Sequence, residues 1–124
     1  MKIYKTRLFS KWQKKERLSD IALCTAAREV IDGLVEADLG GGLFKKRISK
    51  SGMGKSGGYR TILATQVKGV IFFIFGFAKN ERANISNAEK QTFIEVAAKL
   101  LAFSSEETNQ LISEQKLFEV HYEE

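Results

Sequence analysis

The sequence lacks several residues on which whole classes of protein depend. Its 124 residues include no proline, one cysteine and one histidine. The single cysteine, Cys24, excludes an internal disulfide, and Cys24 together with His121 cannot supply the three or four ligands of a zinc site. We therefore expect neither a metal nor a cofactor. Because proline is absent, the turns must be made by glycine, asparagine, aspartate and serine.

Long hydrophobic runs are also absent. No apolar stretch reaches the roughly eighteen residues that a membrane span requires. Residues 1–7 are mostly polar and basic, with no apolar segment behind them, so we expect no secretory signal. Hydrophobic residues make up 44% and charged residues 28% of the chain, which is typical of a globular protein. These features predict a single cytoplasmic domain over residues 1–124, with no membrane partner.

The positive charge is concentrated in the middle third of the chain. Residues 43–82 hold nine basic residues and one acidic residue, whereas residues 83–124 hold three basic and eight acidic residues. A basic block on a structured element attracts polyanions such as nucleic acid. A solvated basic face without a ligand is the alternative interpretation.

Residue periodicity predicts the elements before this block. A short strand is expected over Lys2–Arg7, followed by a helix over Leu8–Glu16 and a second helix that Ser19 caps. One face of the second helix should be buried, because apolar residues recur at steps of three and four: Ile21, Cys24, Ala27, Ile31 and Leu34. The two helices should form a hairpin with a turn near Arg17.

Strands and then helices are expected after the triple glycine at 40–42. The strand candidates are Leu43–Ile48, Tyr59–Thr65 and Val70–Phe77, of which the last two form an antiparallel hairpin. Capping boxes beginning at Ser86 and Ser104 open two C-terminal helices, and Lys116–Val120 is a short strand or an extended tail. The predicted fold class is α+β: an N-terminal strand and a helical hairpin packed on a small, mainly antiparallel sheet, with C-terminal helices.

Two glycine-rich patterns resemble nucleotide-binding motifs. Residues 52–57 match G-x-G-x-x-G, and residues 54–56 resemble the end of a Walker A loop. Both motifs need a helix directly after the glycines, because the helix N-terminus binds the phosphates. A strand is expected there instead, so we exclude nucleotide binding.

The basic residues of the middle block converge if the strands pair as expected. The two-residue period of a strand places Lys45 and Arg47 on one face and Phe44, Lys46 and Ile48 on the other. Since Phe44 and Ile48 should face the core, Lys45 and Arg47 should face solvent. Further basic residues stand in the glycine-rich loop and at the ends of the next two strands: Lys50, Lys55, Arg60, Lys79 and Arg82. Such a sheet face is typical of a phosphate-backbone site.

Three segments of this block, residues 40–47, 54–61 and 76–82, resemble the RelE/ParE superfamily of toxins from bacterial type II toxin–antitoxin systems. The similarity is to the HigB-like branch and covers about residues 2–103. It implies a RelE-like α+β fold and an endoribonuclease that cleaves mRNA in the ribosomal A site. It also implies a cognate antitoxin, which we expect to be of the helix-turn-helix type.

The resemblance implies a site made of lysine and arginine. The catalytic residues it implies are Lys45, Arg47, Arg60, Lys79 and Arg82, with a proton acceptor among the first two and a phosphate clamp in the third. Further contacts to RNA are expected from Lys46, Lys50, Lys55, Asn80 and Tyr59, the last by stacking on a base. Asn80 stands where RelE has an arginine, and Ile85 and Ser86 stand where it has a tyrosine. The general acid is therefore not assigned, with Lys55 and Lys79 as candidates.

Two other functions stay open. A ParE-like protein has the same fold but poisons DNA gyrase without cleaving RNA, and a basic nucleic-acid-binding module has no toxicity. The residues Lys45, Arg47 and Arg60 favour the nuclease, because a gyrase-binding protein needs no phosphate clamp.

Overall fold

The computed structural model describes residues 1–50, 58–66 and 69–121. The elements in these residues follow the order β1 (Lys2–Thr6), α1 (Arg7–Glu16), α2 (Asp20–Ile31), β2 (Ala37–Gly40), β3 (Leu43–Ile48), β4 (Tyr59–Gln66), β5 (Val70–Ala78), α3 (Asn87–Ala102), α4 (Ser105–Ser113) and β6 (Leu117–Val120). This order confirms the predicted α+β fold. No helix within the described ranges combines the length and the hydropathy of a membrane span.

The described strands form one six-stranded sheet in the order β2-β3-β4-β5-β1-β6. Neighbouring strands are antiparallel, except that β1 runs parallel to β5. The sheet is therefore mainly antiparallel, as predicted. Residues 117–120 form its edge strand β6, paired with β1 from Ile3 opposite Val120 to Thr6 opposite Leu117.

Helices pack on both faces of the sheet. On the face that we call the hairpin face, α1 and α2 pack with strand residues such as Leu63 and Phe73. On the opposite face, the α3 face, Phe93 and Ala97 pack with Ile62. The neighbours Ile62 and Leu63 enter different cores because successive strand residues point to opposite faces. The apolar strand β5 is covered on both sides, which is the usual position of a strand with a nearly continuous run of apolar residues.

Side-chain caps fix where the helices begin. Thr6 accepts a hydrogen bond from the N–H of Phe9, and Ser19 accepts one from the N–H of Ala22. Both predicted capping boxes are present at the starts of α3 and α4. Arg17 ends α1 in the left-handed conformation with φ of 57° and reverses the chain between the two helices.

Two local predictions are wrong. The apolar face of α2 is rotated, since Ile21 is 79% exposed and Ile31 and Leu34 also face solvent. Cys24 and Ala27 are buried as predicted, together with Leu23, Ala26 and Val30. Spacing alone misplaced this face because apolar residues occur on both sides of the helix. Strand β2 was not predicted, because its four residues, Ala-Asp-Leu-Gly, have low β-propensity.

Candidate nucleic-acid interface

Strands β3 and β4 place three basic side chains on the α3 face of the sheet. Arg47 lies opposite Arg60, and Lys45 lies opposite Ile62. Residues directly opposite each other in an antiparallel pair point to the same face. Ile62 belongs to the core under α3, so Lys45, Arg47 and Arg60 share that face. The predicted separation of Lys45 and Arg47 from Phe44 and Ile48 is confirmed by this register.

Arg60 lies beneath the surface of this face. Its Nε is 2.8 Å from Oε2 of Glu36, in the bend before β2, and the residue is 4% exposed. Its Nη1 is buried and has no hydrogen-bond partner among the described residues. Arg60, which the resemblance implied as a phosphate clamp, therefore lies below the surface of the site and not on it. The positive charge of Arg60 still raises the electrostatic potential at the surface of the sheet, and the Glu36 carboxylate offsets part of this effect.

Arg82 is held by the N-terminus of α3. Its two terminal nitrogens donate to the two carboxylate oxygens of Glu89, and its Nε donates to the carbonyl of Asn84 at 3.1 Å. The guanidinium also stacks over Phe75 and Phe77, at 5.8 and 5.5 Å from their ring centres. The hydrogen bonds from Arg82 and the cap of Ser86 lower the pKa of Glu89 to about 2. Glu89 therefore stays ionised at neutral pH, and its pair with Arg82 fixes the loop before α3.

Asn84 connects this loop to β3. Its Oδ1 lies 3.5 Å from Nζ of Lys45 and accepts a hydrogen bond from the N–H of Ile85 at 2.8 Å. The partly exposed side chain of Lys45 is thereby held near Arg82, although the two residues are 37 positions apart in sequence. Lys45, Arg82 and Asn84 therefore form the wall of the site that faces α3.

The remaining basic residues lie where β3 and β5 end. Ile48 and Ala78 are both paired with Tyr59, so the ends of β3 and β5 flank the start of β4. Lys50 and Lys79 follow these two ends and are exposed, as is Asn80. We call this group of residues the basic end of the sheet: Lys45, Arg47, Lys50, Arg60, Lys79 and Arg82.

Tyr59 is not available to stack on a base. The residue is 3% exposed, and its hydroxyl donates to the carbonyl of Glu16 at 3.3 Å. Its ring meets Trp12 edge to face, with 5.4 Å between the ring centres. The expectation of a stacking platform was wrong because Tyr59 points to the hairpin face, which α1 covers.

Lys46 also belongs to the hairpin face. It is 8% exposed, its Nζ lies 3.1 Å from a carboxylate oxygen of Glu29, and it donates to the carbonyl of Leu34 at 2.8 Å. The side chain therefore joins β3 to α2 and the segment after it and does not face the basic end. This placement corrects the expectation that Lys46 contacts RNA. Lys55 lies outside the described residues.

Sequence reasoning missed three residues of the site. Glu36, Asn84 and Glu89 each hold a predicted basic residue, through contacts with Arg60, Lys45 and Arg82. Only Glu89 carried a local signal, as the N3 glutamate of the capping box that begins at Ser86. Glu36 and Asn84 reach their partners across the sheet, and no short-range pattern marks such contacts.

Comparison with known proteins agrees with this geometry. A family model described as "RelE toxin of RelE / RelB toxin-antitoxin system" matches residues 1–120. No curated protein matched the chain. The match covers all the described strands and helices and the whole basic end of the sheet. The chain therefore belongs to the RelE toxin family, the toxins of toxin–antitoxin systems.

Proposed function

We propose that this toxin is a ribosome-dependent endoribonuclease that cleaves mRNA by metal-free transesterification. The observation that carries the proposal is the convergence of six basic residues at one end of the sheet, with Lys45 and Arg47 partly exposed and Lys50 and Lys79 exposed. Phosphate-backbone contacts use side chains of this kind.

The reaction uses a nucleophile that RNA itself contains. The 2′-oxygen of a ribose forms a bond to the adjacent phosphorus, and the bond from phosphorus to the 5′-oxygen of the next nucleotide breaks. A base accepts the proton of the 2′-hydroxyl, and an acid donates a proton to the departing 5′-oxygen. The products are a cyclic phosphate and a 5′-hydroxyl. Negative charge increases on the phosphate oxygens in the transition state, so nearby cations stabilise it.

The structure suggests how the roles divide among the basic residues. Lys45 and Arg47 are partly exposed on the α3 face and contact the phosphate, with Lys45 as the proposed proton acceptor. Arg60 contributes positive electrostatic potential without touching the RNA, because Arg60 is buried and paired with Glu36. Arg82 shapes the wall and orients Lys45 through Asn84. Lys79 and Asn80 bind the RNA beyond the end of β5, and Lys79 is a candidate general acid.

Ribosome dependence is proposed because the site consists mainly of lysine and arginine and contains no histidine among its described residues. The histidine of the chain, His121, follows β6, on the opposite side of the sheet from β3. Holding the 2′-oxygen in line with the scissile bond contributes several kcal/mol to catalysis. The ribosome supplies that geometry to mRNA in its A site. The toxin then acts in the cytoplasm, and its antitoxin, proposed to be of the helix-turn-helix type, neutralises it.

To test the proposal, one mRNA transcript is incubated with the toxin in the presence and in the absence of programmed ribosomes. We expect cleavage on ribosomes, with cyclic phosphate ends, and little or none on free RNA. Lys45→Ala should slow cleavage by roughly 10²–10⁴-fold. Lys99→Ala is the matched control, because Lys99 is exposed on α3 away from the basic end.

Other results would identify the alternatives. Equal cleavage in both incubations would contradict ribosome dependence and indicate a free-standing ribonuclease. Intact RNA, with DNA synthesis failing before protein synthesis in pulse-labelled cells, would indicate a gyrase poison. Normal growth at high soluble expression would favour a non-toxic binding module.

A further inference from the structure

A groove lies beside the basic end of the sheet, between α1 and the end of β5. Strand β1 pairs with β5 only from Val70 to Phe73. Beyond Phe73, the side of β5 away from β4 is therefore flanked by α1 instead of by a strand. The space between them is a cavity of about 360 Å³, within the range of small-ligand sites.

The floor and walls of this groove are apolar and aromatic. Phe75 and Phe77 line it from β5, and Leu8 and Trp12 line it from α1. Leu8 is 54% exposed. Gly76 lets the indole of Trp12 lie directly on β5, because a Cβ at position 76 would be 2.3 Å from Cζ3 of the ring. Trp12 and Phe75 are partly exposed and offer aromatic surface to a ligand, whereas Phe77 is buried.

The rim of the groove is cationic. Lys11 and Lys15 stand one turn apart on the exposed side of α1, and Arg82 lies across the groove on the other wall. Glu81 is the acidic residue that lines it. Arg82 is already paired with Glu89, so the charge offered to a ligand comes mainly from Lys11 and Lys15.

We infer that this groove binds a base of single-stranded RNA, with Lys11 and Lys15 on the flanking phosphates. The inference rests on the proposed function, since it assigns a second binding site to the same RNA strand. Aromatic surface that stacks a base beside cations that follow the backbone is how proteins bind single strands without reading sequence. The groove is continuous with the basic end, because Arg82 lines the groove and contacts Asn84, which also contacts Lys45.

A peptide strand could also use an uncovered strand edge. The charges favour RNA, because two exposed lysines, Lys11 and Lys15, flank the groove against one glutamate, Glu81.

The single tryptophan of the chain, Trp12, reports on the groove directly. The probe is a single-stranded octanucleotide with 2′-O-methyl riboses, which lacks the nucleophile and cannot be cleaved. We expect it to quench Trp12 emission, and an octanucleotide with abasic sites to bind about tenfold more weakly without quenching. Lys11→Ala and Lys15→Ala should each lower the slope of log affinity against log salt concentration by about 0.7. Lys14→Ala is the control, because Lys14 is exposed on the same helix but does not line the groove.

The outcomes separate this inference from the proposed function. If the octanucleotide binds without quenching Trp12, and Lys11→Ala behaves as Lys14→Ala does, the groove is not an RNA site and the proposed cleavage is unaffected. If quenching and the lysine effects are found but mRNA is not cleaved on ribosomes, the groove binds RNA and the proposed function is wrong. Failure of the octanucleotide to bind at low salt, with quenching by the antitoxin instead, would overturn the inference in favour of a peptide site.

Discussion

Oε2 of the partly exposed Glu36 lies 2.8 Å from Nε of the buried Arg60 on the α3 face of the sheet. The contact neutralises part of a charge that would otherwise be buried without a counter-ion. We predict that Glu36→Ala lowers the free energy of unfolding by about 1–3 kcal/mol, because it leaves a buried cation unpaired. Glu36→Gln should cost less, since an amide oxygen still accepts a hydrogen bond.

Urea denaturation of both variants measures these free energies. Glu95→Ala, which removes an exposed carboxylate from α3, serves as the control. Equal stability of the wild type and Glu36→Ala would mean that the ion pair contributes nothing to the fold.

Arg60 itself should matter for both stability and activity. We predict that Arg60→Ala abolishes toxicity and also destabilises the protein by about 2–4 kcal/mol, because it empties a buried position and leaves Glu36 without its partner. Lys79→Ala should weaken toxicity without changing stability, because Lys79 is exposed. Growth arrest after induction and thermal unfolding of the purified variants test the two effects separately. If Arg60→Ala were fully toxic, Arg60 would not be needed for catalysis.

The pair of Arg82 and Glu89 predicts a loss of stability in acid. Hydrogen bonds from Arg82 lower the pKa of Glu89 to about 2 from its ordinary value of 4.5. A carboxyl whose pKa is lower in the folded state stabilises the fold above its unfolded pKa and loses that contribution as pH falls. The wild type should therefore lose stability between about pH 4.5 and 2 more steeply than Glu89→Gln does.

Thermal unfolding across this pH range gives the comparison, with Glu95→Gln as a control that should follow the wild type. Parallel curves for the wild type and Glu89→Gln would contradict the assignment of the lowered pKa to Glu89.

Gly76 should not tolerate a side chain. A Cβ there would lie 2.3–2.7 Å from three atoms of the Trp12 ring, so Gly76→Ala forces the indole away from β5. We predict a loss of about 1–3 kcal/mol in stability. The emission of Trp12 should change in the same variant, which fluorescence measures together with unfolding. Trp12→Phe in the Gly76→Ala background should recover part of the stability, because the smaller ring leaves room for the methyl group.

How far the sequence predicts the site depends on which strand carries the residue. On β3, the two-residue period of a strand was enough to separate Lys45 and Arg47 from Phe44 and Ile48, and the register with β4 confirms that separation. Strand β4 has no such alternation, because both of its faces are covered and residues 59–64 are all buried. Its sequence therefore did not show that Tyr59 and Arg60 are inaccessible. The contact of Glu36 with Arg60 joins residues 24 positions apart and depends on the pairing of whole strands.

The place of β1 in the sheet determines when the toxin can finish folding during translation. Its partners are β5 on one side and β6 on the other. Ile3 can therefore pair with Ile71, and later with Val120, only after those residues have been synthesised. Contacts this distant in sequence form slowly. Until the ribosome releases β6, β1 is an unprotected edge strand on the nascent chain, open to pairing with other chains. A stop codon that removes β6 would make that exposure permanent and turn a toxin into an aggregating fragment.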